Sequence, residues 1–259
     1  MLYRHEHFRA TRIIIVTDDR QKDHFEQLDL TTSKWFEKTG RNRPIFDHVM
    51  FGKINGDDGK PIKSRSGDPI RLKALINEAV DRAFTIVKKK NPNFPEDELR
   101  NIAQTVGVSS IKYADLSTNR TSDYVFSWEK LLAFDGNTAS YQLYAATRIQ
   151  SIFRKVDPSD LENLELKATV FETNEEIALA RKIIEFVGAI QVTIETLRPH
   201  MLSTYLYELS GVFSTFISAD KVIVDDPGKK ARRLILCQRT LLALKAGLSL
   251  LGIKTLERM

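Results

Sequence analysis

The 259 residues suffice for one large domain or two ordinary ones, and 42% hydrophobic with 28% charged residues is typical of a soluble globular protein. A single cysteine excludes an internal disulfide framework and a zinc site built on several cysteines. The net charge of +5 is spread along the chain, so a nucleic acid would have to be held by local patches, such as the basic runs at 88–90 and 229–233, whose alternative interpretation is solvated helix ends.

The sequence carries no sign of membrane insertion or of a metal centre. No apolar run reaches the roughly 18 residues that span a bilayer, and the first residues lack the apolar segment of a signal peptide. We therefore expect a cytoplasmic protein that does not bind a membrane. His5 and His7 flank Glu6 in a pattern that could suggest a metal site, but the first residues of a chain are usually frayed. Cys237 lies within an apolar helical pattern that is typical of a core.

The first strand is predicted at residues 12–17, a continuous run rich in β-branched side chains. Such a run is typical of a strand buried on both faces of a parallel sheet. Because ligands bind at the carboxyl ends of strands in α/β sheets, Gln21 and His24, which follow soon after, are candidate site residues. The same stretch also fits the start of a helix over 21–38, capped by one of the two preceding aspartates.

A second strand is predicted at 48–54, and it leads through a turn into a loop at 59–68 that combines basic side chains with glycine and serine. Lys60, Lys63 and Arg65 suit the neutralisation of phosphate oxygens, and glycines let backbone N–H groups approach a phosphate closely. The loop is therefore a candidate phosphate site. Its alternative interpretation is a solvated surface turn.

The remainder of the chain is predicted to be helical. Apolar spacing between residues 72 and 87 predicts a helix with Asp68 as its cap and Pro69 in its first turn, which ends in the lysines at 88–90. Further helices are predicted from residue 95 to a stop at Gly107 and over about 109–116. A later helix is predicted to carry on one face Tyr141, Tyr144, Ala145, Arg148, Ile149 and Ile152. The segment 231–252 is apolar on nearly all sides, which predicts the central helix of a bundle. The predicted fold class is α/β followed by all-α.

Seven separated strings, in this order along the chain, resemble arginyl-tRNA synthetase. They are Val-Thr-Asp-Asp-Arg-Gln-Lys-Asp-His-Phe at 16–25, His-Val-Met-Phe-Gly at 48–52, the loop at 59–67, Ile-Lys-Tyr-Ala-Asp-Leu-Ser at 111–117, Asp-Tyr-Val-Phe at 123–126, Gly-Asn-Thr-Ala at 136–139 with Arg148, and Leu-Leu-Gly-Ile at 250–253 with the final Arg258 and Met259. Several strings in register are far more specific than any one of them.

The resemblance implies a class I aminoacyl-tRNA synthetase, an arginine-tRNA ligase that joins arginine to ATP as an adenylate and then transfers it to tRNA-Arg. It implies the C-terminal part of a Rossmann-type catalytic domain with the signature loop at 1–70, a helical connector at 71–135 and a helical-bundle anticodon-binding domain at 136–259. The implied ligands are arginine, tRNA-Arg and, as a substrate, ATP with Mg²⁺. No bound prosthetic group and no metal site of the chain itself are expected.

The roles of individual residues come from the same resemblance. The loop stands where the family has a Lys-Met-Ser-Lys-Ser element and here has Lys-Ser-Arg-Ser-Gly at 63–67, without the second lysine. The implied catalytic residues, which stabilise charge on the pyrophosphate side, are Lys60, Lys63 and Arg65. The residues implied to bind the amino acid are Gln21 and His24. Those implied to bind ATP are Val49, Phe51, Gly52, Ser64 and Ser66. Those implied to bind tRNA are Tyr141, Arg148, Tyr205 and Met259, with core packing as the alternative for both tyrosines.

The family's other ATP signature, His-Ile-Gly-His, does not occur in these residues. We therefore expect a C-terminal half that is inactive alone and is either a fragment of an arginine-tRNA ligase or acts with a separately encoded N-terminal half. The alternative is a non-catalytic tRNA-binding module derived from the same family. Retention of Gln21, His24 and Lys63 favours the enzyme, because a module that only binds RNA has no use for them.

Overall fold

The computed structural model describes residues 1–56, 72–162, 164 and 170–259. The predicted phosphate loop, with Lys60, Lys63, Ser64, Arg65 and Ser66, lies outside the described residues. Two compact units account for the described chain. The first combines residues 1–56 with Asn119–Phe126, and the second contains the remaining described residues.

The first unit is a small α/β structure. Its elements are α1 (Leu2–Phe8), β1 (Arg12–Asp18), a 3₁₀ turn (Asp19–Gln21), α2 (Lys22–Lys38), β2 (Ile45–Phe51), β3 (Ile54–Asn55) and β4 (Tyr124–Val125). Strands β1 and β2 pair in parallel from Arg12 opposite Ile45 to Asp18 opposite Phe51. Strands β3 and β4 form a second short parallel pair. The prediction of parallel strands followed by helices is confirmed.

Burial of β1 on both faces was predicted, and this is wrong for the described structure. Ile13 is buried, whereas Ile14 is 46% and Val16 60% exposed. Helix α2 covers one face of the sheet, where the ring of Phe25 lies 4.4 Å from that of His48. The described residues leave Ile14 and Val16 in solvent on the other face, so the apolar run has only one covered side.

The predicted strand over 48–54 is interrupted at Gly52. The N–H of Gly52 donates to the carbonyl oxygen of Arg120 at 2.7 Å instead of continuing the β1–β2 ladder. A Cβ at this position would lie 2.7 Å from the carbonyl oxygen of Ser122. Glycine is therefore required here because the 119–126 segment crosses the end of β2 at backbone distance.

The second unit is a helical bundle. Its elements are α3 (Leu72–Lys90), α4 (Glu96–Ser117), α5 (Trp128–Leu131), α6 (Ala139–Phe153), a 3₁₀ turn (Pro158–Leu161), α7 (Asn174–Ile184), α8 (Phe186–Thr196), α9 (Pro199–Ala219) and α10 (Pro227–Leu250). Helix α10 packs against α6, α7 and α9 and buries Leu234, Cys237 and Leu244. The prediction of a central helix is confirmed, and so is the fold class of α/β followed by all-α.

Two helix predictions need correction. The predicted break at Gly107 does not occur, because α4 runs without interruption from Glu96 to Ser117. Gly107 lies where α4 meets α3, and a Cβ there would be 2.8 Å from the Cα of Val80. The predicted single face of α6 is in fact divided: Ala145 and Ile149 are buried, whereas Tyr144 and Arg148 are exposed.

Candidate functional site

The carboxyl ends of β1 and β2 form one edge of the parallel sheet in the first unit. Asp18, the last residue of β1, lies opposite Phe51, the last residue of β2. Gln21 follows Asp18 across the 3₁₀ turn, and Gly52 follows Phe51. The structure thus brings the predicted amino-acid-binding and ATP-binding segments to the same edge, as expected of ligand sites in α/β sheets.

The turn that carries Gln21 is fixed by a local ion pair. The carboxylate of Asp18 accepts from the backbone N–H of Arg20 at 2.9 Å and from two guanidinium nitrogens of Arg20, each at 2.7 Å. These bonds hold the pKa of Asp18 well below its usual range. The prediction that an aspartate caps the helix over 21–38 is wrong: Asp18 caps the short 3₁₀ turn, and the N-cap position of α2 is Gln21, whose side chain makes no capping bond. Gln21 and His24 are exposed to solvent.

The predicted ATP-binding residues of β2 differ in their accessibility. Val49 is buried and Phe51 is exposed. Gly52 already uses its N–H for the carbonyl oxygen of Arg120. The guanidinium of Arg120 in turn donates to the carbonyl oxygen of Met50 at 2.8 Å. Arg120 was not predicted as part of this edge, because the polar 119–123 segment gives no sequence signal that it returns to β2.

His48 is a second residue of this edge that was not proposed as a site residue. Its Nε2 lies 2.7 Å from Oγ1 of Thr17 near the end of β1, and Phe25 of α2 covers its ring. Burial lowers the pKa of His48; the charge of Glu26 opposes this effect, and that of Arg120 adds to it. The neutral imidazole is therefore the form that this packing favours.

A second candidate surface lies on the helical bundle. The rings of Tyr141 on α6 and Tyr207 on α9 lie 5.6 Å apart. Tyr207 is 36% exposed, and Tyr144 and Arg148 continue the solvent side of α6. Burial and the neighbouring Tyr207 raise the pKa of Tyr141, so it stays a neutral phenol. Exposed aromatic rings beside a guanidinium are suited to stacking with unpaired bases.

Tyr205 does not belong to that surface in this structure. Its side chain is only 4% exposed, and its hydroxyl donates to the carbonyl oxygen of Lys182 at 2.9 Å. This position favours core packing, which from the sequence was the alternative to tRNA binding for Tyr205. Tyr207, two residues further along α9, has the exposed ring. The apolar spacing alone gave no reason to propose it as a tRNA-binding residue.

Of the two basic runs, the one at 229–233 is engaged in ion pairs. Lys230 pairs with Asp160 at 2.8 Å, and Arg233 pairs with the buried Glu176 at 2.8 Å. Arg232 is fully buried and also pairs with Glu176, at 2.9 Å. This run therefore stabilises the bundle and does not offer a row of cations to RNA. Lysines 88–90 are exposed at the end of α3.

Met259, the last predicted tRNA-binding residue, is half-buried. It ends a tail, residues 251–259, whose Leu251, Ile253 and Leu256 side chains are buried. In the part of the chain that the structure describes, no three His, Cys, Asp or Glu side chains are grouped as a metal site needs. None of the described helices is long and apolar enough to cross a membrane.

Two family models match the sequence in succession. The model of the class I tRNA synthetase (R) catalytic domain matches residues 1–128, and that of the DALR anticodon-binding domain matches residues 142–259. The arginine–tRNA ligases of Shewanella amazonensis and of a Marinomonas species are 44% and 45% identical to this chain over 261 and 259 residues. The chain belongs to the arginyl-tRNA synthetase family. It is covered almost completely by each of these relatives and spans 44% of their length, in the C-terminal part.

Solved arginyl-tRNA synthetases share the fold. The crystal structure of the Plasmodium falciparum enzyme aligns with a TM-score of 0.83 at 30% identity, over 99% of this chain and 43% of that one. The Thermus thermophilus arginyl-tRNA synthetase aligns with a TM-score of 0.71 at 27% identity, over 83% of this chain and 36% of that one. Membership of the family confirms the resemblance seen in the seven strings.

Proposed function

We propose that this chain is the tRNA-binding portion and the C-terminal part of the catalytic site of an arginine–tRNA ligase. The observation that carries the proposal is the ring pair of the half-buried Tyr141 and the exposed Tyr207, near Arg148, on a bundle with a well-packed core of its own. Recognition of single-stranded RNA needs such rings, because unstacked bases pack on aromatic side chains. The proposed RNA ligand is the anticodon loop of tRNA-Arg.

The proposed division of labour follows the order of the chain. Residues 1–70 contribute the C-terminal part of the catalytic domain, 71–135 connect the two functional parts, and 136–259 bind the anticodon. At the sheet edge, Gln21 and His24 are proposed to contact arginine, and the end of β2 to lie along the adenine. Parallel strand ends and an exposed turn support this, because they leave room for a ligand at the edge.

The remaining proposed ATP contacts are Ser64 and Ser66, and the proposed charge-stabilising residues are Lys60, Lys63 and Arg65. Their chemistry supports the assignment, since ammonium, guanidinium and hydroxyl groups aimed at phosphate oxygens stabilise the charge that develops during adenylate formation. Mg²⁺ is proposed to arrive with ATP. The rest of the active site is proposed to come from an N-terminal half that this chain does not contain.

A non-catalytic tRNA-binding module is the second candidate. The tyrosine surface would serve it equally well. Gln21 and His24 are exposed at the carboxyl edge of a parallel sheet, and this favours the enzyme. A module that binds RNA only through the tyrosine surface of the bundle would not need these two side chains.

RNA binding is tested by comparing the affinity of the chain for a tRNA-Arg transcript and for the same transcript with a changed anticodon. We expect the native anticodon to bind more tightly, and Tyr207→Ala to weaken it about tenfold, because one base stacked on a ring contributes about 1–3 kcal/mol. The matched control is Tyr3→Ala, which removes another exposed tyrosine with a ring neighbour, His7, from the first unit. Equal affinity for both transcripts would contradict the proposed function.

A further inference from the structure

The C-terminal tail, residues 251–259, is held by polar bonds as well as by its apolar side chains. Gly252 adopts a left-handed φ of 70°, which turns the chain out of α10. The N–H of Ile253 then donates back to the carbonyl oxygen of Leu248 at 2.9 Å. Lys112 of α4 donates to the carbonyl oxygen of Gly252 at 2.7 Å, so the tail is attached to a second helix from its first residues.

The residues just before Met259 are held by hydrogen bonds and an ion pair from two helices. On α6, Gln150 donates to the carbonyl oxygen of Leu256 at 3.1 Å, and just past its end Arg154 donates to that of Glu257 at 2.9 Å. On α4, the carboxylate of Glu98 forms an ion pair with Arg258, whose Nε and Nη2 lie 2.8 and 3.0 Å from its two oxygens. We name Glu98, Gln150 and Arg154 the tail clamp.

The clamp is more than a general surface contact. The Gln150 side chain is buried, so its bond to a backbone carbonyl is shielded from competing water. The guanidinium of Arg258 also lies over the ring of Phe94, 5.2 Å from its centre, while both carboxylate oxygens of Glu98 hold it. A bidentate pair fixes orientation as well as position. The residue next to Arg258, Met259, therefore has a defined place at the surface.

We propose that Glu98, Gln150 and Arg154 are positioning residues for RNA recognition: they hold Met259 where its side chain packs on an unpaired base of the anticodon loop. This inference rests on the proposed function. The guanidinium of Arg258 is paired with Glu98, so at the end of the tail the proposed contact is made by the thioether of Met259. A tail that is already ordered binds RNA more tightly, because a flexible terminus would have to lose conformational entropy when it binds.

The test uses the full chain and the discrimination ratio, defined as the affinity for the tRNA-Arg transcript divided by that for the anticodon-changed transcript. Glu98→Gln removes the charge that holds Arg258. We expect it to lower the ratio about three- to tenfold, within the range of measured couplings between contacting residues. The matched control is Glu96→Gln on the same helix as Glu98. It breaks the ion pair between Glu96 and Arg100, which lies one turn further along that helix. We expect the control to leave the ratio unchanged.

A double-mutant cycle separates positioning from general stability. In a Met259→Ala background we expect Glu98→Gln to have no further effect on the ratio, since the clamp acts through Met259. Thermal unfolding of each variant verifies that the bundle is folded. An unchanged ratio in Glu98→Gln, or the same loss with and without Met259, would overturn the proposal. If the unmodified chain itself shows no discrimination, the proposed anticodon recognition fails instead.

Discussion

At the scale of single residues, His48 couples the packing of the first unit to pH. Its imidazole lies between Thr17 and Phe25, and burial lowers its pKa. The unfolded chain therefore binds more protons than the folded unit near the ordinary histidine pKa of 6.5. Stability that depends on the neutral ring is present above that value and is lost as the pH falls below it.

We expect His48→Gln to flatten the pH dependence of unfolding of the first unit between about pH 5 and 7, where an unperturbed histidine titrates. The measurement is urea unfolding followed by the fluorescence of Trp35 in a Trp128→Phe background, because the chain has only these two tryptophans and Trp35 lies in α2. His24→Gln, which changes an exposed histidine of α2 in the same unit, is the matched control. An unaltered slope in His48→Gln would show that another group sets the pH dependence.

The two tyrosines of α9 show what a sequence leaves undecided at this scale. Residues two apart on a helix point about 200° away from each other, so Tyr205 and Tyr207 cannot share a face. Sequence spacing places Tyr205 on the apolar face with Leu202, Leu206 and Leu209, but it does not show which groups either tyrosine meets. Here Tyr205 reaches the carbonyl oxygen of Lys182 and Tyr207 meets Tyr141.

At the scale of elements, Gly107 shows how one residue type can signal two different structures. Glycine is common just after a helix end, which is why a break was predicted. In the structure it lies inside α4, where the helix approaches α3 so closely that no side chain fits. The Thr-x-x-Glu pattern at 173–176 is less ambiguous, because it is typical of a capping box, and this box is present at the start of α7.

We expect Gly107→Ala to destabilise the bundle by about 1–3 kcal/mol, because the added methyl group would press on the backbone of Val80 in α3. Gly188→Ala in α8 is the matched control, since a Cβ there meets nothing within 4 Å. The control should be neutral or up to about 1 kcal/mol stabilising, as alanine is the better helix former. Urea unfolding followed by the signal of Trp128 in a Trp35→Phe background measures both. Similar effects of the two substitutions would contradict close packing as the reason for glycine at 107.

At the scale of the whole molecule, local patterns predicted the fold class but not which surfaces are covered. Helical periodicity and the apolar run of α10 were enough to predict a bundle with a central helix. The burial of β1 was not predictable in the same way, since it depends on what packs against each face of a strand. Ile14 and Val16 have the apolar character of a covered face and are exposed among the described residues.

This exposed face bears directly on activity, because the chain spans 44% of the length of the arginine–tRNA ligases it matches. We expect the 259 residues alone to give no arginine- and tRNA-dependent pyrophosphate exchange. Loss of one charge-stabilising donor typically costs a factor of about 10² to 10³ in rate. Loss of substrate positioning removes a further contribution that reaches about 7–11 kcal/mol.

Adding the N-terminal part of the Shewanella amazonensis relative, which lies outside its match to this chain, should restore exchange if that part packs on the β1 face. Val16→Lys should then prevent both association and exchange, because it places a charge on the apolar face to be covered. Leu30→Lys, at an exposed leucine of α2, should leave both unchanged. Exchange by the chain alone would contradict the expected dependence on an N-terminal half. Association that survives Val16→Lys would mean that the complement binds elsewhere, and the exposed face of β1 would need another explanation.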